Sequence, residues 1–314
     1  MVIAGLFCYI EARMDFDILA KILLNGLIAG SLYAILSLGL SLIYGVLRFV
    51  NLAHGEIALM GAYSFYAFYG LLGWPMVPSF LVSMGVLFIL VLIIEKCTFL
   101  PVRDAPTFVP LIVSIGLGIL IKNLLLLFFG AYPRSFDIEI KSFILFSDVV
   151  RITNIQIIIL AVGALFMVGL WAFLRYHKYG KAIRAISDNK EVAALVGIPV
   201  NRIITIVFII SAFLAGTAGI LAAFDTNLSP NLGTAFTIKS FAAVILGGIG
   251  SIPGAVLGAY FIGIAENLLI AIPFGSYTIP SGYKDAIAFG ALLLILYIKP
   301  TGFFGIRQSE ASRK

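Results

Sequence analysis

Long apolar runs, broken by short clusters of charged and turn-forming residues, follow one another along the chain. A membrane-crossing helix needs about 20 mostly apolar residues, so the spacing of the charges predicts where the spans fall. Nothing charged lies between Lys21 and Arg48, which predicts one span. Residues 57–94 are uncharged as well, and Gly73-Trp74-Pro75 divides them into two spans joined by a tight turn. Further spans are expected over 108–130, 155–174, 203–224 and 284–298. The stretch 233–272 reads either as one broken helix or as two crossings around Gly247–Gly254.

Composition agrees with this pattern. Of the 314 residues, 61% are hydrophobic and 11% charged, with mean hydropathy +1.11, whereas soluble domains carry about 25% charged residues. The expected fold is an all-α polytopic integral membrane protein with eight to nine transmembrane helices, in which internal repeats and a broken Gly-rich helix pair are candidate features. The net charge of +6 reports orientation in the membrane and not an affinity for nucleic acid. The most basic loop, 175–202, and the tail with Lys299, Arg307, Arg313 and Lys314 both belong in the cytoplasm, so an even number of crossings separates them. Since 203–224 and 284–298 supply two, the stretch 233–272 contributes two or none; two is the reading taken, which gives nine crossings in all with the N-terminus outside, and one re-entrant piece makes eight. The segment 131–154 then falls outside, and Arg48 and the loop 96–106 fall inside.

The expected organisation is an N-terminal segment 1–20, a transmembrane domain 21–300 containing the loop 175–202, and a cytoplasmic tail 301–314. Met1–Ile10 is too short to span and is not read as a signal peptide, and Met14 is an alternative start. Cys8 and Cys97 have no metal-binding spacing. Gly61-Ala62-Tyr63 and Gly258-Ala259-Tyr260 form a weak internal echo of the kind found in transporters.

Candidate chemistry is sparse. In the loop 175–202, Asp188-Asn189-Lys190-Glu191 reads as a capping box with Asp188 as the cap, Gly197 as a left-handed stop and Pro199 as a bar to extension. Upstream, Lys178, Lys181 and Arg184 recur every three residues, which suits an interfacial helix on anionic lipid as well as a protein-docking surface. The ionisable groups at membrane depth are Lys122, Lys239, Glu266 and, near an inner end, Glu56. Lys239 is expected to snorkel outward. Lys122 and Glu266 are expected to pair, the alternative being that Glu266 lines a path with Asn267. His54-Gly55-Glu56 lacks the partners of a zinc site, and Gly180-Lys181 is no phosphate-cradling loop. The chain therefore has no cofactor site of its own, and any ATP must bind to another subunit.

Three motifs now point one way: Asn51-Leu52-Ala53-His54-Gly55-Glu56; Gly180–Ala185 followed by Leu195-Val196-Gly197-Ile198; and Ala243–Ala255 with its Gly247-Gly248-Ile249-Gly250-Ser251-Ile252-Pro253-Gly254 core. Together they resemble the LivH-type permease of branched-chain amino acid ABC importers, from about Ala20 to Gly305. The resemblance implies a non-enzymatic subunit of the prokaryotic plasma membrane. It also implies a homologous M-type permease, two cytoplasmic ABC ATPases that bind the ATP, and an extracytoplasmic substrate-binding protein as partners, besides lipid. In such importers a short cytoplasmic helix docks on the ATPase, which makes Lys181, Arg184, Asp188, Glu191, Ala194 and Gly197 the coupling candidates. Val192 interrupts the usual Glu-Ala-Ala triplet. Candidates for the path or its packing are Asn51, His54, Glu56, Gly247, Gly248, Gly250, Ser251, Pro253, Gly254, Glu266 and Asn267. Rival readings are a urea or short-amide importer permease and a self-sufficient ion-coupled carrier or channel.

Overall fold

The computed structural model describes residues 16–144 and 150–271, together with positions 282, 286, 289, 290, 293, 297, 299 and 302–304. Residues 1–15 and most of the expected 284–298 span and 301–314 tail lie outside the described residues. Among the described residues, ten continuous helices follow in chain order: α1 (Phe16–Leu47), α2 (His54–Tyr66), α3 (Met76–Ile94), α4 (Phe108–Phe129), α5 (Asn154–Tyr176), α6 (Lys178–Asp188), α7 (Lys190–Leu195), α8 (Val200–Asp225), α9 (Leu232–Gly247) and α10 (Ile252–Ala271). Single π-helical turns, Ala67–Leu71 and Glu95–Phe99, extend α2 and α3. A short antiparallel pair, β1 (Ser142–Ile144) with β2 (Arg151–Thr153), precedes α5. Thr153 and Gln156 then start α5 with a reciprocal capping box.

Among the described residues, six helical segments are long and apolar enough to cross a membrane: Ile18–Leu47, Met76–Phe99, Phe108–Phe129, Asn154–Tyr176, Val200–Asp225 and Ile252–Ile270. The protein is therefore an all-α polytopic membrane protein. Helices α1 and α8 are mostly buried and form the centre, whereas α3, α4 and α5 are mostly exposed and form the flanks. Lipid tails are as apolar as the side chains, so helices associate through close packing rather than through hydrophobic exclusion. Glycine permits this where α1 crosses α10: a Cβ on Gly26 would lie 2.8 Å from the Ile264 Cα.

Polar contacts sort the loops onto two ends. At one end, an Arg48 guanidinium nitrogen donates to the Ser187 carbonyl, and Lys190 lies 2.7 Å from Asp104. This basic end holds the loops that the charge parity assigns to the cytoplasm. At the other, Arg134 bridges to Leu228 and the Tyr69 hydroxyl donates to the Asp137 carbonyl.

Two helices do not cross from end to end. After α1 the chain turns back into the bundle, where the Leu52 amide donates to Ser114 Oγ of α4 at 3.1 Å. His54 Nε2 lies 3.0 Å from the Leu36 carbonyl. Leu36 stands about three turns, or ~16 Å at 1.5 Å per residue, before the end of α1. Helix α2 thus begins at mid-depth and runs to the end opposite the basic one. Helix α9 also begins deep: Leu232 shares a cavity with Ala29 and Leu32, near the middle of α1. It runs to the basic end, where Gly248 (φ +100°) and Gly250 (φ +85°) turn the chain into α10. The stretch 233–272 is accordingly a helical hairpin rather than one broken helix, and its first arm starts inside the bundle.

Candidate functional site

The starts of α2 and α9 meet. Asn51, fully buried, accepts the Ala53 amide on Oδ1 at 3.1 Å and so shapes the turn that enters α2. In the first turn of α2, Glu56 accepts a 2.9 Å hydrogen bond on Oε1 from Thr234 Oγ1 of α9. The Gly55 amide donates to Thr237 Oγ1 at 3.0 Å. A helix N-terminus carries partial positive charge. The Glu56 carboxylate therefore stabilises the start of its own helix while tying down the start of the other. Of the predicted path residues, Asn51, His54 and Glu56 come together here; Thr234 and Thr237, which the sequence reading did not single out, join them from the first turns of α9.

Glu266 is placed differently from expectation. Its partner is Lys239, at 3.2 Å, and not Lys122. Tyr33 completes the cluster: its hydroxyl donates to Glu266 Oε2 at 3.1 Å and receives a hydrogen bond from Lys239 Nζ at 3.1 Å. Lys239 does not snorkel; it is 7% exposed. The reason is the deep start of α9, which puts Lys239 two turns into a helix that begins at mid-depth. The cluster pins α1, α9 and α10 together. Asn267 hydrogen-bonds the Gly263 carbonyl and, with Glu266 and Lys239, lines a cavity of about 320 Å³ that reaches Gln156 and Asp225. Lys122 lines a different cavity, with Glu56.

The coupling candidates and the Gly-rich turn converge at the basic end. Lys181, Arg184 and Asp188 share a groove of about 980 Å³ with Gly250, Ser251 and Pro253. Gly247 and Gly254 close the hairpin behind it, since a Cβ on Gly247 would lie 2.0 Å from the Gly254 carbonyl oxygen. Ile183 and Ile186 seat α6 on the bundle and leave Lys181 and Arg184 exposed. The cap of α7 is Asn189, whose Oδ1 accepts the Glu191 and Val192 amides at 3.0 Å each. Asp188 instead ends α6, because Asn189 is extended (φ −153°) and breaks the two helices apart.

Gly197 closes α7 at φ +87° as expected. The Ile198 amide donates to the Ala193 carbonyl and the Gly197 amide to that of Ala194, the pair of bonds of a Schellman stop. Glu191 and Ala194 are exposed, and so are the apolar Val192, Leu195 and Val196, the last two at 86% and 72%. Lys190 braces α7 against Asp104 and holds that carboxyl below its ordinary range. A lowered carboxylate contributes fully above its ordinary pKa and loses that contribution as pH falls through the lowered one, so the brace is intact at neutral pH. Both partners are exposed, which limits its worth to about 0–1 kcal/mol.

Valine adopts positive φ only with strain. We expect Gly197→Val to distort this exposed edge and to reduce coupled ATP hydrolysis in the assembled complex while the protein still inserts. Normal coupled hydrolysis would assign the edge to lipid.

The geometry is that of a helical membrane protein, with two helices that begin at mid-depth and a short terminated helix at one end. Residues 22–296 match the family described as branched-chain amino acid transport system / permease component, and the chain belongs to that family. It is 35% identical over 301 residues to the high-affinity branched-chain amino acid transport system permease protein BraD of Pseudomonas aeruginosa, covering 92% of this chain and 96% of BraD. It is 34% identical over 303 residues to the corresponding LivH of Escherichia coli, covering 91% and 95%. Among solved structures, PsaBC from Streptococcus pneumoniae in complex with Fab superposes with TM-score 0.50 at 15% identity, covering 95% of this chain and 97% of that one; this likeness concerns the fold alone. The family and the apolar spans make the chain a multi-pass protein of the prokaryotic inner membrane.

Proposed function

We propose that the chain is one permease subunit of an ATP-driven importer of branched-chain amino acids. It forms half of the path beside a homologous permease and receives substrate from an extracytoplasmic binding protein. Two cytoplasmic ATPases hold the nucleotide. The observation that carries this reading is the α6–α7 pair at the basic end, which positive-inside bias assigns to the cytoplasm. It is seated on the bundle by apolar residues, closed by a Schellman stop, and carries exposed Val192, Leu195 and Val196. Closure of the ATPases would press on α6 and α7 and, through the shared groove, on the α9–α10 turn. The α9 start, tied to Glu56, would then shift at mid-depth. Such a switch needs an interface with two discrete packings, biased from a distance by ligand.

The test is uptake into vesicles holding the complete complex. Labelled leucine should accumulate only with the binding protein present. Excess isoleucine and valine should compete, and urea and acetamide should not. Competition by urea or acetamide alone would move the substrate to the short-amide class.

A further inference from the structure

We propose that the cavity where α2, α4 and α9 meet is a mid-depth binding site for a zwitterionic amino acid with an apolar side chain. The proposal rests on the importer reading and names what that path holds. The cavity has a volume of about 360 Å³, within the ~300–1,000 Å³ of small-molecule sites. Its polar lining consists of Glu56, Lys122, Thr234 and Thr237, and its apolar lining includes Leu52, Ile115, Ile119 and Ile238. One anionic and one cationic side chain thus face a space otherwise walled by two threonines and aliphatic groups, the complement of an α-amino acid.

Glu56 is the anchor. It is 4% exposed, and its Oε1 is used by Thr234, but its Oε2 has no hydrogen-bond partner among the described residues. Gly233 leaves the room the carboxylate occupies, since a Cβ there would lie 2.1 Å from Oε2. A buried carboxylate oxygen left without a donor carries its full desolvation cost; Oε2 packs against Gly233, so an incoming ammonium relieves that cost with charge-assisted hydrogen bonds once the Glu56 side chain turns toward the cavity. Lys122, half-buried on α4, then faces the substrate carboxylate. The branched side chain lies along Ile115, Ile119 and Ile238. Ile115 and Ile119 are 43% and 59% exposed, so the cavity opens along the flank formed by α4. Urea and short amides bring no charge for either end. If Glu56 only ties two helix starts together, no ligand should sense it.

The experiment uses the assembled complex with Ile119→Cys as reporter and with Cys8 and Cys97 replaced by serine. Millimolar leucine should slow modification of the reporter by a methanethiosulfonate reagent at least about threefold, as expected at a few times Kd. Urea, acetamide and sodium at the same concentration should not. Glu56→Gln should remove the protection and Glu56→Asp should keep part of it. Lys122→Gln should weaken protection by leucine while leaving that by leucinamide, which lacks the carboxylate, as in the parent complex. A crossover of this kind does not follow from a merely structural role. Absence of leucine protection, equal protection in the Glu56→Gln and Lys122→Gln complexes, or protection by sodium in place of leucine would overturn the site. ATP-driven leucine uptake by the native complex, measured alongside, separates the two claims: if it persists, only the site falls, and if it is absent, the importer reading falls with it.

Discussion

Lys239→Met alone should leave little folded protein, and Lys239→Met combined with Glu266→Leu should recover much of what the single change loses. Removing one member of a buried ion pair strands the other charge and costs about 3–5 kcal/mol, whereas replacing both with apolar groups of similar size is often close to neutral. Here the stranded Glu266 carboxylate would keep the Tyr33 hydroxyl but lose its cationic partner, deep among α1, α9 and α10. Thermal melts followed by size-exclusion chromatography check this directly. Lys122→Met, by contrast, should leave the melting temperature near that of the native protein, since Lys122 is not part of the cluster. A double variant as unstable as the single one would mean that the pair contributes more than mutual neutralisation.

Gly247→Ala should be nearly as damaging, despite adding one methyl group. The added carbon would stand 2.0 Å from the Gly254 carbonyl oxygen and 2.5 Å from the Ala255 amide nitrogen, both of them backbone atoms that no rotamer change can move. Overpacking costs typically about 1–3 kcal/mol, and a backbone-on-backbone clash belongs at the top of that range or above it. The α9–α10 hairpin would have to open at the basic end, where Gly250, Ser251 and Pro253 share a groove with Lys181 and Arg184. We expect a lower melting temperature, and in the protein that remains, weaker stimulation of ATP hydrolysis by loaded binding protein. Gly85→Ala, where a Cβ meets nothing within 4 Å, is the matched control.

Much of this architecture is legible in the residues. Charge spacing locates α1, α3, α4, α5 and α8, because a run without charge is what a bilayer demands. The Gly197 stop is legible because a left-handed C-terminus has a strong local signature, and the three motifs identify the family. The cap of α7 falls one residue later than expected, since Asp188 and Asn189 are both good caps and only the backbone decides between them. Less local features escape. The mid-depth starts of α2 and α9 depend on contacts such as Leu52 with Ser114 and Glu56 with Thr234, made between uncharged stretches or across long sequence separation. The pairing of Glu266 follows from those starts. A charge at the seventh residue of 233–272 reads as near a membrane surface when its helix is taken to cross fully, and as interior once that helix begins deep in the bundle.

The source of energy tests the account most directly. Labelled leucine uptake should be measured in proteoliposomes containing this chain with its partner permease, the ATPases and the binding protein, and in proteoliposomes containing this chain alone. The account predicts uptake in the full complex that requires ATP and continues when proton and sodium gradients are collapsed, and none by the chain alone. Gradient-driven uptake by the single chain, abolished by Glu266→Gln in protein that remains folded, would contradict it and make the protein an ion-coupled carrier.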